Sequence, residues 1–527
     1  MPITSSLNAV QGGDFFSKTP QSIFTPEDFK GDEALMIQVA ELFCRGEVLP
    51  LSYRLDSQEG ALMPTLVKKA GELGLCGVDS PEQYGGLGLS KNLAARILEY
   101  MSLNASFSVT YGITSGISQF GLSLFGTEAQ KQKYLPLLTS GQWLGAYALS
   151  EPNSGSDALS VSTRAELRGD KWILNGTKMW ISNAKWADLF LVMAKVDGEK
   201  FSAFLVEKDF PGVNVSREEH KMGLKGSSTA RLVLEDAEVP SENLLYEPGL
   251  GHHVAFNALN LGRFKLSSMS IGPARLAIEE SSSYAQDRRQ FGVPIASFGL
   301  MQKKFAQMAA WFFVAESMIY RTGALIDLAF QAYGGTIEGN RRAAEEFAAE
   351  CSACKVFSTE VEGWIVDEAL QVYGGYGFTE EFPIARIYRD ARVSRIYEGT
   401  NEINRIFLAD RLFKKEKEGQ ISLEGASDSF IGTLASQAMR NRPDDQIRLG
   451  AMSDLITLHY ADQSARLRAD QVGGDKALLY RCAVPWLNAR AAEAYQTATG
   501  EGVTLPPAEP IDFAEIARLV HAKKGPL

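Results

Sequence analysis

The sequence predicts a mainly helical protein with a central β-domain and a C-terminal helical extension. Three observations carry this. Apolar residues recur at helical spacing from about 31 to 145 and again from about 251 to 412. Between them, short apolar runs alternate with turn dipeptides, which is a strand pattern. A further helical stretch, 428–527, follows a charged segment. A chain of 527 residues exceeds one ordinary core, so several packed domains are expected.

Residues 1–30 are polar and turn-rich, and read as a loosely held arm. The helical domain, 31–145, carries stripes such as Leu66, Ala70, Leu73 and Leu75. Its helices are interrupted at Pro81-Glu82-Gln83-Tyr84-Gly85-Gly86-Leu87-Gly88. No strand precedes those glycines and no Lys-Ser/Thr follows them, so they are not a phosphate loop. In the β-domain, 146–250, strands are expected at 171–177, 189–194, 201–206 and 230–235. Asn-Gly, Asp-Gly and Pro-Gly turns separate them, and a small antiparallel barrel or sandwich follows. Helical runs return in 251–412, from Met301 to Ala329 and from Arg341 to Tyr373. Lys414-Lys415-Glu416-Lys417-Glu418 marks a solvated linker, 413–427. In the extension, Leu478, Leu479, Cys482, Ala483, Trp486 and Leu487 share a helical face, and Pro485 is expected to kink or shorten that helix.

Composition excludes several functions. A net charge of −11 argues against nucleic-acid binding. No apolar run approaches the roughly 20 residues that span a bilayer. The N-terminus has neither a signal peptide's apolar stretch nor the Arg-rich character of a transit peptide. A cytoplasmic, bacterial-type location is therefore expected, or a mitochondrial one for a processed chain. The 5 cysteines are scattered, which suits a reducing compartment. Cys351 and Cys354 have redox or zinc spacing, but they lie in a helical run with no second pair, so burial by packing is the favoured reading. His252-His253 reads as a turn or helix start, and no metal site is expected.

The chemistry concentrates in a few motifs. Glu398 stands between Tyr397 and Gly399, a carboxylate beside an apolar ring and a permissive backbone. That setting suits a general base acting on a C–H bond, although a lone Glu before Gly is usually a solvated loop residue. Upstream, Tyr147-Ala148-Leu149-Ser150-Glu151-Pro152-Asn153-Ser154-Gly155-Ser156-Asp157 is a turn-rich loop whose hydroxyls and N–H groups suit a flat heterocycle or a phosphate. Lys178-Met179-Trp180-Ile181-Ser182-Asn183 offers an indole for stacking. Asp287-Arg288-Arg289-Gln290-Phe291-Gly292 brings two guanidinium groups suited to a pyrophosphate. Gln371-Val372-Tyr373-Gly374-Gly375-Tyr376-Gly377 permits close backbone approach to a ligand.

This ordered series resembles the acyl-CoA dehydrogenase family from about residue 30 to about 412. Asn260-Leu261-Gly262-Arg263-Phe264 and the long extension resemble its very-long-chain members. The resemblance implies a helical N-domain, a central β-domain and a four-helix bundle, with FAD as cofactor. It implies α,β-dehydrogenation of long- or very-long-chain acyl-CoA, with electrons passed to an electron-transferring flavoprotein. Glu398 would be the base. Tyr147, Leu149, Ser150, Gly155, Ser156, Trp180, Ile181 and Ser182 would hold the flavin. Arg288, joined by Gln371 and Gly375, would bind the pyrophosphate of a neighbouring subunit, Thr400 and Glu402 would complete the adenosine end, and Gln290, Phe291, Gly374 and Asn401 would also contact the cofactor. Ser156, Asn260, Arg263, Tyr397 and Gly399 would contact the substrate. Gly262 stands where some members carry their base, so Glu398 has no rival there. A homodimer with at most peripheral membrane contact is expected. An acyl-CoA oxidase-like enzyme, or an assembly factor on the same fold, are the competing readings.

Overall fold

The computed structural model describes residues 11–423, 429–440 and 442–527. The first ten residues of the expected arm, and 424–427 of the expected linker, lie outside the described residues. The chain forms two compact bodies. A sheet body comprises Gly31–Lys265 and Tyr333–Glu345. A bundle body comprises the arm up to Lys30, Leu266–Ala332 and Glu346–Leu527.

The sheet body opens with helices α1 (Asp32–Phe43), α2 (Leu62–Glu72), α3 (Lys91–Met101), α4 (Ala105–Gly112), α5 (Ser118–Phe125) and α6 (Glu128–Thr139). Side-chain caps fix several starts. Ser90 accepts from the Leu93 N–H at 3.0 Å, and Thr127 and Gln130 form a reciprocal capping box. A π-helical turn, Ile113–Ile117, joins α4 to α5.

The sheet comprises β1 (Gly145–Ala148), β2 (Arg164–Arg168), β3 (Lys171–Ser182), β4 (Leu189–Val196), β5 (Lys200–Glu207), β6 (Val213–Val215), β7 (Thr229–Pro240) and β8 (Leu244–Leu245). Its order is β6-β7-β3-β2-β4-β5-β8, with β1 also on β4. Leu174, Phe190, Val192, Phe204 and Leu232 fill its core. The expected all-antiparallel sheet is corrected, because β1 and β2 both pair with β4 in parallel. β1 spans four residues, and although β2 alternates as Arg164-Ala165-Glu166-Leu167-Arg168, alternation does not encode which strand becomes a neighbour or in which direction. Asp197-Gly198 is a turn as expected, with φ of 55° and 77°, between β4 and β5. Asn175-Gly176 is not a turn but a bulge inside β3. A Cβ on Gly176 would lie 2.3 Å from Thr163 Oγ1, so glycine there permits close approach of the chain rather than reversal.

The helix α7 (Gly251–Asp287) begins at the His252-His253 pair and contributes to both bodies. It is followed by the hairpin β9 (Arg289–Gln290) and β10 (Val293–Pro294), then α8 (Gly299–Tyr333) and α9 (Ile337–Glu346). The bundle body continues with α10 (Ala348–Tyr373), α11 (Pro383–Ala391) and α12 (Asn401–Lys417), and the extension adds α13 (Phe430–Ala438), α14 (Gln446–Val472), α15 (Asp475–Thr499) and α16 (Phe513–Lys523). Cys351 and Cys354 are buried in α10, and burial pushes the Cys354 thiol up to about 12. Among the described residues no cluster of metal-ligating side chains occurs, and no helix is long and apolar enough to cross a membrane.

Three expectations for this body are corrected. Of the two outcomes expected at Pro485, shortening does not occur: α15 runs on to Thr499, because buried Leu479, Cys482, Ala483 and Leu487 anchor it on either side of the proline. The linker 413–427 begins as helix, since α12 continues to Lys417. Its last turn holds Lys414, Lys415 and Lys417, which complement the helix dipole. Lys415 is also buried, donating to the Gly12 and Glu346 carbonyls at 3.0 Å each. The described part of the arm, residues 11–30, is held firmly: Phe15 and Phe16 are buried against Tyr460 and His459, at ring distances of 4.8 and 5.5 Å. Burying two aromatic rings outweighs the polar composition that suggested a loose segment.

Arg468 ties arm, bundle and extension together. Its guanidinium is 1% exposed and lies 2.6 Å from Glu27 of the arm and 2.7 Å from Glu316 of α8. Replacing Arg468 with Met leaves Glu316 buried without that charge partner. The bundle body should lose about 3–5 kcal/mol, measured by urea denaturation followed through tryptophan fluorescence.

Candidate active site

In the sheet body, the loop after β1 is built around the carboxylate of Glu151. It accepts from the Ser162 N–H and hydroxyl, both at 2.6 Å, and from the Thr163 N–H and hydroxyl at 3.0 and 2.5 Å. Lys178 of β3, also buried, donates to it at 2.7 Å and to the Leu149 carbonyl at 3.2 Å. Burial opposes the Glu151 charge, but the Lys178 ammonium and these donors prevail and hold the carboxyl down at about 2. The Met179 N–H donates to the Ser150 carbonyl at 2.8 Å. The loop is thereby fixed at 149–151, while Gly155 and Ser156 stay exposed and a Cβ on Gly155 would meet open space.

Two residues beyond Lys178, β3 breaks register, and Trp180 adopts φ 57° with 57% of its surface exposed. A left-handed tryptophan presented to solvent is unfavourable twice over, which marks a surface built to be covered. Ile181 instead points into the sheet core, so its side chain offers nothing to a ligand. Ser182 remains in the β3–β7 ladder. Asn183 is buried and donates to the Thr110 and Gly145 carbonyls at 3.1 and 2.9 Å, tying the strand end to the helices. Tyr147 reaches the Ala255 carbonyl on α7 at 3.5 Å. Farther along α7, Arg263 donates to Asn260 at 3.2 Å, and both are buried.

In the bundle body, Glu398 has φ 56° and Gly399 φ 81°, two consecutive left-handed residues. For Glu this costs of order 1–3 kcal/mol, so the surroundings must impose it. Asn404 does so by donating to the Glu398, Gly399 and Thr400 carbonyls at 3.4, 2.8 and 3.0 Å. Lys355, buried on α10, donates to the Gly399 carbonyl at 2.9 Å and to Asn401 at 2.6 Å. Thr400 caps α12 through the Ile403 N–H at 3.2 Å. Glu402 stands exposed in the first turn, its carboxyl lowered by its own N–H and by Thr400. Burial and the nearby Glu362, Glu398 and Asp390 carboxyls push the Tyr397 phenol up, and burial raises Glu362.

The third cluster is also in this body. Arg288 lies 5.4 Å over the Tyr376 ring, beside exposed Gln371, Gly374 and Gly375, and a Cβ on either glycine would meet open space. Gln290 folds back on the Arg289 carbonyl at 2.7 Å, and Phe291 projects from the β9–β10 hairpin, 94% exposed. Sequence reasoning therefore located the surfaces that carry the motifs. It assigned no role to Glu151, Lys178, Lys355 or Asn404, which hold them. A lone lysine within an apolar stripe, such as Lys178 or Lys355, was the available signal.

In the sheet body an exposed left-handed indole stands beside a locked loop, a flat surface of the kind a heterocycle covers. In the bundle body an open Gly374-Gly375 surface lies near Arg288, and a carboxylate sits on a constrained turn. Each is a feature that a flavin-dependent dehydrogenase requires. Family models agree along the chain: the acyl-CoA dehydrogenase N-terminal domain matches residues 31–142, the middle domain 146–237 and the C-terminal domain 249–413. The chain belongs to the acyl-CoA dehydrogenase family, and it is an FAD-dependent oxidoreductase.

A probable acyl-CoA dehydrogenase of Bacillus subtilis is 48% identical over 421 residues, covering 78% of this chain and 71% of that protein. The human mitochondrial short-chain specific enzyme is 36% identical over 75% of this chain and 92% of its own. The very long-chain specific enzyme of Macaca fascicularis is 41% identical over 64% of this chain and 51% of its own. The crystal structure of an acyl-CoA dehydrogenase complexed with FAD from Bacillus anthracis superposes with a TM-score of 0.90 at 40% identity, covering 98% of this chain and 100% of that one. That match takes in the C-terminal extension.

The Glu151 cluster makes the sheet body acid-sensitive. A carboxyl at about 2, against an ordinary 4.5, contributes stability above pH 4.5 that is lost as pH falls toward 2. In Glu151→Gln the fall in stability between pH 5 and 2 should be shallower, with weaker FAD retention at pH 7. Circular dichroism and flavin absorbance after gel filtration measure both.

Proposed function

We propose that the protein desaturates long- or very-long-chain acyl-CoA thioesters to trans-2-enoyl-CoA and passes the electrons to an electron-transferring flavoprotein, with Glu398 as the base. The single observation that carries the base assignment is the left-handed Glu398-Gly399 turn held by Lys355 and Asn404. Bound FAD supplies a two-electron acceptor for the β-hydrogen as hydride. Ser150, Gly155, Ser156 and Trp180 would hold its ring, and Arg288, Gln371, Gly374 and Gly375 the pyrophosphate end, in a homodimer where that surface serves the second copy. Thr400, Asn401 and Glu402 would stand at the adenosine end. Arg263, oriented by Asn260, would bind the CoA portion.

The residues of this chain divide the chemistry plainly. An α-C–H of a thioester is weakly acidic, so the base must be fixed at contact distance and shielded from water. The turn at 398–400 fixes it, because its carbonyls are already engaged and its backbone cannot relax without breaking those bonds. Tyr397, kept neutral, adds an apolar ring beside the carboxylate and no competing charge.

Glu398→Gln should keep the fold and the FAD but reduce flavin by acyl-CoA about 10²–10⁴-fold more slowly. Stopped-flow bleaching under anaerobic conditions measures this, and a near-normal rate would overturn the assignment.

The chain-length reading is supported by Asn260-Leu261-Gly262-Arg263-Phe264 and by the small residues Gly112, Ser115 and Gly116 at the π-helical turn. An anaerobic titration with acyl-CoAs of graded length should show affinity rising by about 0.8 kcal/mol per buried methylene until the channel ends. Best turnover with butyryl-CoA would refute it.

A further inference from the structure

Within the bundle body a line of hydrogen bonds runs from the C-terminal extension to the Glu398 turn. Asp454, on α14, accepts from Arg405 Nε at 2.7 Å. Arg405, on α12, directs Nη2 to Glu360 of α10, 2.8 Å from one oxygen and 3.0 Å from the other. Glu360 accepts from Asn401 Nδ2 at 3.1 Å. Asn401 Oδ1 accepts from Lys355 Nζ at 2.6 Å, and Lys355 donates to the Gly399 carbonyl at 2.9 Å. The Ser453 hydroxyl, next to Asp454, donates to the Arg405 carbonyl.

The order of charges gives this line a direction. The Asn401 amide must turn its Nδ2 toward the Glu360 carboxylate and its Oδ1 toward the Lys355 ammonium; flipped, it would oppose both. Glu360 in turn is held by Arg405, and Arg405 by Asp454. The line also borders a cavity of about 500 Å³ lined by Glu360, Arg405, Asp454, Trp311, Trp364 and Trp486. At the cavity the Glu360–Arg405–Asp454 part of the line is held by its ion pairs, while Thr359, at 3.1 Å from Asn401 Nδ2, supports the Asn401 end.

We propose that Asp454 and Arg405 are positioning residues for the base turn, so that the C-terminal extension sets the geometry of proton abstraction without touching substrate. The proposal rests on Glu398 being the base. The left-handed Glu398 backbone is held through the Gly399 carbonyl by two donors, Asn404 and Lys355, and Lys355 reaches it from a position that Asn401, Glu360 and Arg405 help to fix. Loss of Asp454 frees Arg405 to rotate, and the turn loosens.

The test uses the full-length, FAD-loaded protein and four variants: Asp454→Ala, Asp454→Glu, Leu455→Ala and Glu398→Gln. Leu455 is a fully buried neighbour on the same helix, so its truncation weakens the extension without breaking the line. Asp454→Ala should slow flavin reduction at saturating acyl-CoA about 10-fold, because sub-ångström misplacement of a reacting group is costly. Half-saturation should change less than twofold. Amide hydrogen exchange should rise across residues 397–404. Asp454→Glu should recover most of the rate. Leu455→Ala should lower the melting temperature but leave rate and loop exchange unchanged. If Leu455→Ala slows reduction as much as Asp454→Ala, the effect is general loosening and the proposal falls. If Glu398→Gln is inactive while Asp454→Ala is normal in rate and exchange, the relay alone is wrong. If Glu398→Gln reduces flavin normally, the base assignment fails and the proposal with it.

Discussion

The Lys355 ammonium, buried in α10 and donating to the Gly399 carbonyl, is with Asn404 the contact on which the left-handed Glu398-Gly399 turn depends. A left-handed glutamate is an unfavourable backbone state, and Lys355 and Asn404 make it the only one available by engaging the carbonyls on its C-terminal side. A buried lysine is itself costly unless its hydrogen bonds are made. The hydrogen bond between them offsets part of both costs, satisfying the buried ammonium and holding the strained turn. A side chain outside every recognised motif thus determines what the motif can do.

The same device recurs elsewhere in the chain. In the sheet body Lys178 is buried so that Glu151 can hold the loop after β1, with Ser162 and Thr163 completing its coordination. In the bundle body Arg468 is buried between Glu27 and Glu316, and so fastens the arm and the extension to α8. Each centre joins segments far apart in sequence through one fully desolvated cation. Such pairs add little stability relative to an apolar core, but breaking one leaves a charge stranded. They act as registers that fix which segment meets which.

Membership of the acyl-CoA dehydrogenase family follows from matches that together run from residue 31 to residue 413. The extension lies beyond those matches, yet it packs within the bundle body through Trp486 against Trp311, with ring centroids 3.9 Å apart, and through Asp454 on Arg405. The extension therefore shares polar and aromatic contacts with α8 and α12 of the same body. A cavity of about 500 Å³ beside that contact leaves the junction joined there by the Arg405 ion pairs with Glu360 and Asp454.

The sequence by itself determined the helix–strand–helix order, the Asp197-Gly198 turn and the positions of the motifs along the chain. Those are local properties: periodicity, turn chemistry and the ordered signatures around Trp180, Arg288 and Glu398. It could not show that Asn175-Gly176 is a bulge, because the same dipeptide serves a turn or a close approach, and only Thr163 at 2.3 Å from the absent Cβ decides. Nor could it show that Phe15 and Phe16 anchor the arm, that Pro485 is carried within a helix, or that Lys355 and Lys178 hold the functional loops. Each of those outcomes is set by partners far away in sequence, and the free energy of a buried charge or ring depends on those partners rather than on its neighbours in the chain.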